Sequence, residues 1–241
     1  MTPRFGIHPD DQALADAITR FAQAELAPHA HEVDESALST VRYVPALAEL
    51  GVMGMNLPER WGGPGATPSA LVLSLAAIAQ ACTATASMIG AHYLATDSLL
   101  IGGDDALRER YLPGAASGAK LGAFALTEPR AGSNPADMAT RAVREGDHYH
   151  LSGTKHFISN AGEADFIVVY AKTDPAAGHR GISAFVVDKD TPGLQISAPE
   201  KLMGIRGGHA FEVALDCRVP ATQRLGDEGT GFRTAMKVLD N

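Results

Sequence analysis

The sequence has no run of basic residues, no paired-cysteine motif and a single tryptophan, and the first two absences each remove a class of function. With 20 Lys and Arg against 28 Asp and Glu, the formal net charge is -8, which argues against a nucleic-acid surface built on clustered cations. Cys82 and Cys217 are the only cysteines, far apart and in no C-x-x-C arrangement, so neither a zinc site nor a disulfide framework is supported. A reducing cytoplasm fits that usage. Met1 to His8 lack both a basic-then-apolar signal pattern and an Arg-rich amphipathic transit pattern. No G-x-S-x-G elbow, no G-x-x-x-x-G-K-[ST] loop and no G-x-G-x-x-G after a strand is present, so hydrolase, nucleoside-triphosphatase and Rossmann readings have no footing. No internal repeat shows. Acidic and basic residues are also missing from the whole stretch between Trp61 and Thr96. Its length would allow a membrane span, but Ser69, Ser74, Gln80, Cys82, Thr83, Thr85 and Ser87 interrupt it and no basic clusters flank it, so two buried helices with a break near Cys82 are expected.

What remains is an ordinary globular composition, 45% hydrophobic and 20% charged over 241 residues, enough for one or two domains with a real core. Leu14, Ile18 and Phe21 share the face of a helix that starts at Pro9, with Asp10 and Asp11 at its positive end and Pro28 expected to kink or end it. Val41, Val44, Leu47 and Leu50 form a second stripe that stops at Gly51. Thr67-Pro68 caps the uncharged helices, and Asp104-Asp105 starts another helix expected to end at Pro113. After Gly118 the period falls to two. Arg141 and Val143 lead into a Glu145-Gly146-Asp147 turn, Tyr149 and Leu151 return, and Phe166 to Tyr170, Ile182 to Val187 and Phe211 to Leu215 read as further strands. A helix resumes at Gly231. His92 reads as a core or pocket-wall residue, and His148 and His150 share a strand face without an identifiable third metal ligand.

Two stretches carry chemistry. Phe124, Ala125 and Leu126 form a short apolar strand that passes Thr127 and breaks at Pro129 into Ala131-Gly132-Ser133, a loop whose free N–H groups and hydroxyl suit an anionic diphosphate. Gly153 to Ala161 adds Phe157, Ile158 and Ser159, an aromatic face and a second hydroxyl suited to a fused-ring redox cofactor. Alone, such a loop is also consistent with a plain turn. The order of the words is more specific: L-T-E-P-x-A-G-S, then G-x-K-x-F-I-S-N, then Lys201 to Arg206 and Glu228 to Phe232, preceded by Leu57-Pro58-Glu59, Trp61-Gly62-Gly63 and Tyr111-Leu112-Pro113. This series resembles the acyl-CoA dehydrogenase family of flavoproteins over almost the whole chain.

The resemblance implies an α+β fold: an all-α N-terminal domain over 1–119, an antiparallel β-barrel-like middle domain over 120–221, and a linker with the start of a third, helical domain over 222–241. It implies FAD as cofactor, with Thr127 and Ser159 as hydroxyl partners of the flavin N5 and O4 side and Phe157 as the covering ring. Phe124, Leu126, Gly132, Ser133 and Ile158 match further cofactor-holding positions, and Ser133 also matches a contact to the acyl-CoA thioester arm. Arg130, Asn134, Ser159 and Ala161 depart from the usual pattern, and Arg130 is a candidate partner for a phosphate or a solvated surface residue. The implied reaction is oxidation of an acyl-CoA to its 2,3-enoyl thioester in fatty acid or amino acid catabolism, with electrons passed to an electron-transfer flavoprotein by a homo-oligomer. No metal is implied. The family's catalytic base is expected beyond Asn241, Glu128 being assigned a structural role, and the acyl pocket wall is expected near Met88 to Leu94. A flavin oxygenase or oxidase of the same fold, and a non-catalytic nucleotide- or partner-binding fragment, stay open as alternatives.

Overall fold

The computed structural model describes residues 7–240. Most of the N-terminal stretch read for targeting signals, the first residues of the expected helical domain, and Asn241 lie outside the described residues.

Helix α1 (Pro9–Phe21) begins where the His8 ring accepts the Asp10 N–H at 3.3 Å, with Pro9 in the first turn and two acids at the positive end of the dipole. Pro28 does not stop the chain. A π-helical turn (Ala22–Leu26) and a 3-10 turn (Ala27–His29) carry it into α2 (Ala30–Glu35), the widened turn absorbing the missing N–H. Helix α3 (Val44–Glu49) buries Val44 and Leu47 and is followed by Gly51 at φ 72, the left-handed conformation that glycine accepts without strain. The Thr67 hydroxyl accepts the Ala70 N–H at 3.1 Å to cap α4 (Pro68–Ala81), and extended Cys82 separates it from α5 (Thr83–Gly102). Asp104 caps α6 (Asp105–Ala116) through the Leu107 N–H at 2.9 Å. This helix overruns the expected stop at Pro113. Proline costs one N–H bond near the end of the helix, and burial of Leu112, Ala115 and Ala116 offsets it.

The strands are β1 (Gly122–Ala125), β2 (Arg141–Glu145), β3 (His148–Ser159), β4 (Phe166–Lys172), β5 (Ile182–Asp188), β6 (Leu194–Ile196), β7 (Ala210–Pro220) and β8 (Arg224–Leu225). Their order is β6-β7-β3-β2-β4-β5-β8, with β1 pairing parallel to β4. Only Arg141 opposite Lys172 joins β2 to β4, so two antiparallel blocks fold over one another. Leu151, Val213 and Leu215 of one block share a core with Ile167, Val169 and Phe185 of the other. The opposite face of β4 and β5, carrying Phe166, Val168, Tyr170 and Ala184, packs on Leu99, Leu107, Tyr111 and Ala235, which join α5, α6 and the last helix α7 (Gly231–Leu239) in a second core. The expected order of helices then sheet is found. The sheet, however, is open and mixed rather than a closed antiparallel barrel: β6 and β8 stand at its ends, and the long connection between β1 and β4 permits parallel pairing. No helix of the described residues is long and apolar enough to cross a membrane.

Candidate functional site

Two sequence motifs that lie far apart in the chain run side by side in the fold. The His156 N–H donates to the Thr127 carbonyl at 2.9 Å, and the Asn160 side-chain amide donates to the Gly122 carbonyl at 3.3 Å, so the tail of β3 runs antiparallel along β1 and past its end. Asn160 also donates to the Met88 carbonyl at 2.9 Å, and the Gly122 N–H donates to His92 Nδ1 at 3.0 Å. Helix α5 is thereby tied to both strands. Those bonds place the Met88 to Leu94 turn of α5 against the paired motifs.

His92 must be neutral to accept from Gly122. Burial pushes it down to about 4, with the Met53 and Ala115 carbonyls opposing weakly, and its Nε2 makes no hydrogen bond of normal geometry. Further along α5, burial lifts the Asp97 carboxyl to about 6 although Asn56 donates to it at 2.8 Å. Tyr170 meets Ser98 at 2.9 Å through its hydroxyl and lies 5.2 Å, centre to centre, from the Phe124 ring.

Beneath the first motif lies a buried ion pair. Lys155 Nζ donates to Glu128 Oε1 at 2.8 Å and to the Leu126 carbonyl at 3.1 Å, with the lysine side chain 0% and the glutamate side chain 5% exposed. Glu128 in turn accepts the Ala139 N–H at 2.6 Å and the Thr140 N–H at 3.0 Å. One carboxylate thus closes the loop from the end of β1 to the start of β2. Burial alone would raise the Glu128 carboxyl, but the Lys155 ammonium and the hydrogen bonds from Thr140 and Ala139 outweigh it and hold the group below the ordinary carboxylate range. Burial likewise pushes the Lys155 ammonium down, to about 8, against the pull of Glu128. The two effects oppose each other across one contact, and at neutral pH both leave the pair ionised.

The candidate residues then separate by exposure. Thr127 and Ser159 are half-buried, Gly132 and Ser133 are exposed, and Phe157 is 59% exposed at φ 56. A bulky residue in the left-handed region stores about 1–3 kcal/mol of strain, and this ring, although it meets the His156 ring 4.1 Å away centre to centre, stays largely exposed. A β-bulge between Lys155 and Ile158 produces this turn-out. Gly132 is equally unforced by the fold: a Cβ there would meet nothing within 4 Å. Both features suit a ligand that approaches the main chain at Gly132 and covers Phe157. Ile158, by contrast, is buried in the sheet core, Phe124 and Leu126 pack toward the helices, and the Leu126 carbonyl is taken by Lys155. These three can line a site only from below. Arg130 is exposed.

Sequence reasoning did not find the Lys155–Glu128 pair, the Asn160 tie or the role of His92 as acceptor. The lysine and glutamate are adjacent in no sequence sense, and a hydrophobic alternation count places Lys155 without revealing its partner. His148 and His150 pair with Asp147 at 2.6 Å and Asp216 at 2.7 Å, and no set of three metal-ligating side chains occurs among the described residues.

Comparison with known proteins adds the following. The family model for the acyl-CoA dehydrogenase N-terminal domain matches residues 8–119 and that for the middle domain matches 123–217. The acryloyl-CoA reductase (NADH) of Anaerotignum propionicum is 38% identical over 239 residues, covering 98% of this chain and 61% of the relative. A structure described for the electron transferring flavoprotein of Acidaminococcus fermentans superposes with a TM-score of 0.95 at 35% identity, covering 99% of this chain and 63% of that one. A glutaryl-CoA dehydrogenase from Mycobacterium smegmatis in complex with FADH2 gives 0.89 at 30% identity, with 96% and 60% covered. The chain spans about three fifths of the length of the curated relatives it matches.

Proposed function

The chain belongs to the acyl-CoA dehydrogenase family, and from that premise we propose that it binds FAD on the paired motifs and serves the α,β-dehydrogenation of an acyl-CoA thioester. The observation that supports this reading is Phe157, exposed at a positive φ on the bulge that follows the His156 bond to Thr127, a placement a bound ring would make use of. Thr127 and Ser159 supply hydroxyls to the polar edge of the ring, Phe157 shields its face, and the backbone of Gly132 with Ser133 receives the diphosphate and the thioester arm. Phe124, Leu126 and Ile158 support these positions from the strand side. Bound FAD supplies the two-electron acceptor.

The protein's part is orientation, exclusion of water and stabilisation of charge that develops on the thioester oxygen. Glu128 is not free to take the α-proton, because its two oxygens already receive Lys155, Ala139 and Thr140. Asp137 accepts from Asn134 at 2.8 Å. We therefore assign the base to none of the described residues. The division into 1–119, 120–221 and 222–241, a homo-oligomeric assembly, an electron-transfer flavoprotein as electron acceptor and a reducing cytoplasmic location complete the proposal. Free, buried Cys82 and Cys217 support the last of these.

The test is to load the chain with FAD and mix it with acyl-CoAs of graded length and branching, with and without an artificial electron acceptor. Saturable FAD binding, a flavin spectrum perturbed by acyl-CoA and little turnover are expected. A chain that takes up no FAD overturns the reading. Robust turnover would leave the flavoprotein intact and point to a base within this chain, with Glu128 the first residue to substitute.

A further inference from the structure

Strand β1 ends at Ala125, so its ladder with β4 does not reach Thr127. Both peptide planes that flank the Thr127 Cα are nevertheless held. The Leu126 carbonyl, in the plane before it, accepts from Lys155 Nζ at 3.1 Å, and the Thr127 carbonyl, in the plane after it, accepts the His156 N–H at 2.9 Å. Each peptide unit is rigid, so fixing the two planes fixes φ and ψ of Thr127 and with them the direction of its Cβ. Branching at Cβ then restricts χ1 and leaves the hydroxyl few positions. The two donors are consecutive residues at the start of the β-bulge. Lys155 stands opposite Val213 of β7 and pairing resumes only at Ile158, which lets the His156 N–H turn to Thr127.

We infer that Lys155 is a positioning residue for Thr127, aiming its hydroxyl at the flavin, with Glu128 as the anchor that holds the lysine to this task. The inference rests on the flavin reading above. The ammonium has an acceptor for each of its three protons: the Leu126 carbonyl, Glu128 Oε1 at 2.8 Å and, more weakly, Met138 Sδ at 3.9 Å. The lysine side chain is fully buried, so water does not compete for the Leu126 carbonyl. Glu128 is fixed in turn by the Ala139 and Thr140 N–H groups, and it follows Thr127 directly in the chain. One ammonium therefore grips the chain on both sides of Thr127. Closing the loop to β2 needs the contact with Glu128 alone. The second bond, to Leu126, adds nothing to that closure and acts on the peptide plane that orients Thr127.

The experiment titrates the apoprotein with FAD, reading the dissociation constant from flavin fluorescence and the fold from circular dichroism. The proteins are wild type, Thr127→Val, the uncharged combination Lys155→Met with Glu128→Gln, and all three substitutions together. A residue that acts through the Thr127 hydroxyl can cost no more than loss of that hydroxyl, about fivefold in affinity. The uncharged combination is expected to weaken FAD about threefold to fivefold, and to add less than about twofold once Thr127→Val is present. Wild-type affinity in the folded uncharged combination overturns the inference and leaves the flavin site standing. So does an equal weakening with and without the Thr127 hydroxyl, which is what a purely structural pair gives. If the uncharged combination does not fold, Lys155→Arg, which keeps the cation but shifts its donors, carries the same cycle with the same two outcomes. Thr127→Val binding FAD as tightly as wild type would overturn the flavin assignment of Thr127 and the inference with it.

Discussion

Replacing Lys155 by Met separates the two contributions of the buried ion pair. The substitution keeps the volume but leaves the Glu128 carboxylate in a site 5% exposed with two backbone N–H groups and no cation. Breaking one side of such a pair costs about 3–5 kcal/mol, because the remaining charge is buried without compensation. Glu128→Gln strands the ammonium and should cost about as much. The double variant carries no charge. It loses the donor to the Leu126 carbonyl and one acceptor at Ala139 or Thr140, at about 1 kcal/mol each, so it should lie about 2 kcal/mol below wild type and above either single variant. Equilibrium urea denaturation of all four proteins at pH 7 closes the cycle. The same pair gives an acid limb: the Glu128 group sits below its ordinary value of 4.5, so its stabilisation is complete above that value and is lost as pH falls through the lower folded-state value. Two additive single losses, or a Lys155→Met cost under about 1 kcal/mol, would refute the argument that this pair holds the loop.

Asp97→Asn should stabilise the chain at pH 8 by about 3 kcal/mol and have little effect at pH 4. The folded carboxyl titrates at about 6 against an unfolded value of 3.8, so the folded form binds more protons between them and the penalty for the ionised group is complete only above about 6; thermal melts at the two pH values read the difference. Gly132→Ala should change stability by less than about 0.5 kcal/mol, since the added methyl meets nothing, yet weaken FAD about tenfold by blocking approach to the main chain. Equal effects on melting and on affinity would count against Gly132 as a ligand contact. Gly153→Ala should do the reverse and cost stability outright: the backbone there has φ 150 and the new Cβ would lie 2.4 Å from the Thr140 hydroxyl, so a variant as stable as wild type in urea would contradict the close approach of β3 to Thr140.

Helix boundaries were legible where the signals are local. Thr67, Asp104 and Gly51 announce caps through side chains and backbone freedom that need no tertiary partner. The Glu145-Gly146-Asp147 hairpin was legible for the same reason, Gly146 taking φ 65. Pro113 misled because its cost depends on position within the helix and on what the following residues bury. The short strands β6 and β8 carry too few residues for alternation to stand out, and the parallel placement of β1 on β4 is a tertiary fact. At the site, the order of the motifs, through the resemblance it carries, pointed to the ligand class, but the supports beneath it, Lys155 on Glu128 and Asn160 on Met88, are long-range contacts that no local pattern encodes.

In the proposed site Thr127, just past the end of β1, and Ser159, the last residue of β3, present their hydroxyls to FAD. The most direct measurement of that contact is FAD titration of the apoprotein for wild type and for Thr127→Val with Ser159→Ala, with melting followed in parallel. Each lost hydrogen bond is worth about 1 kcal/mol, so the double variant should bind FAD at least about tenfold more weakly while melting close to wild type. Unchanged FAD affinity in a folded double variant would contradict the account.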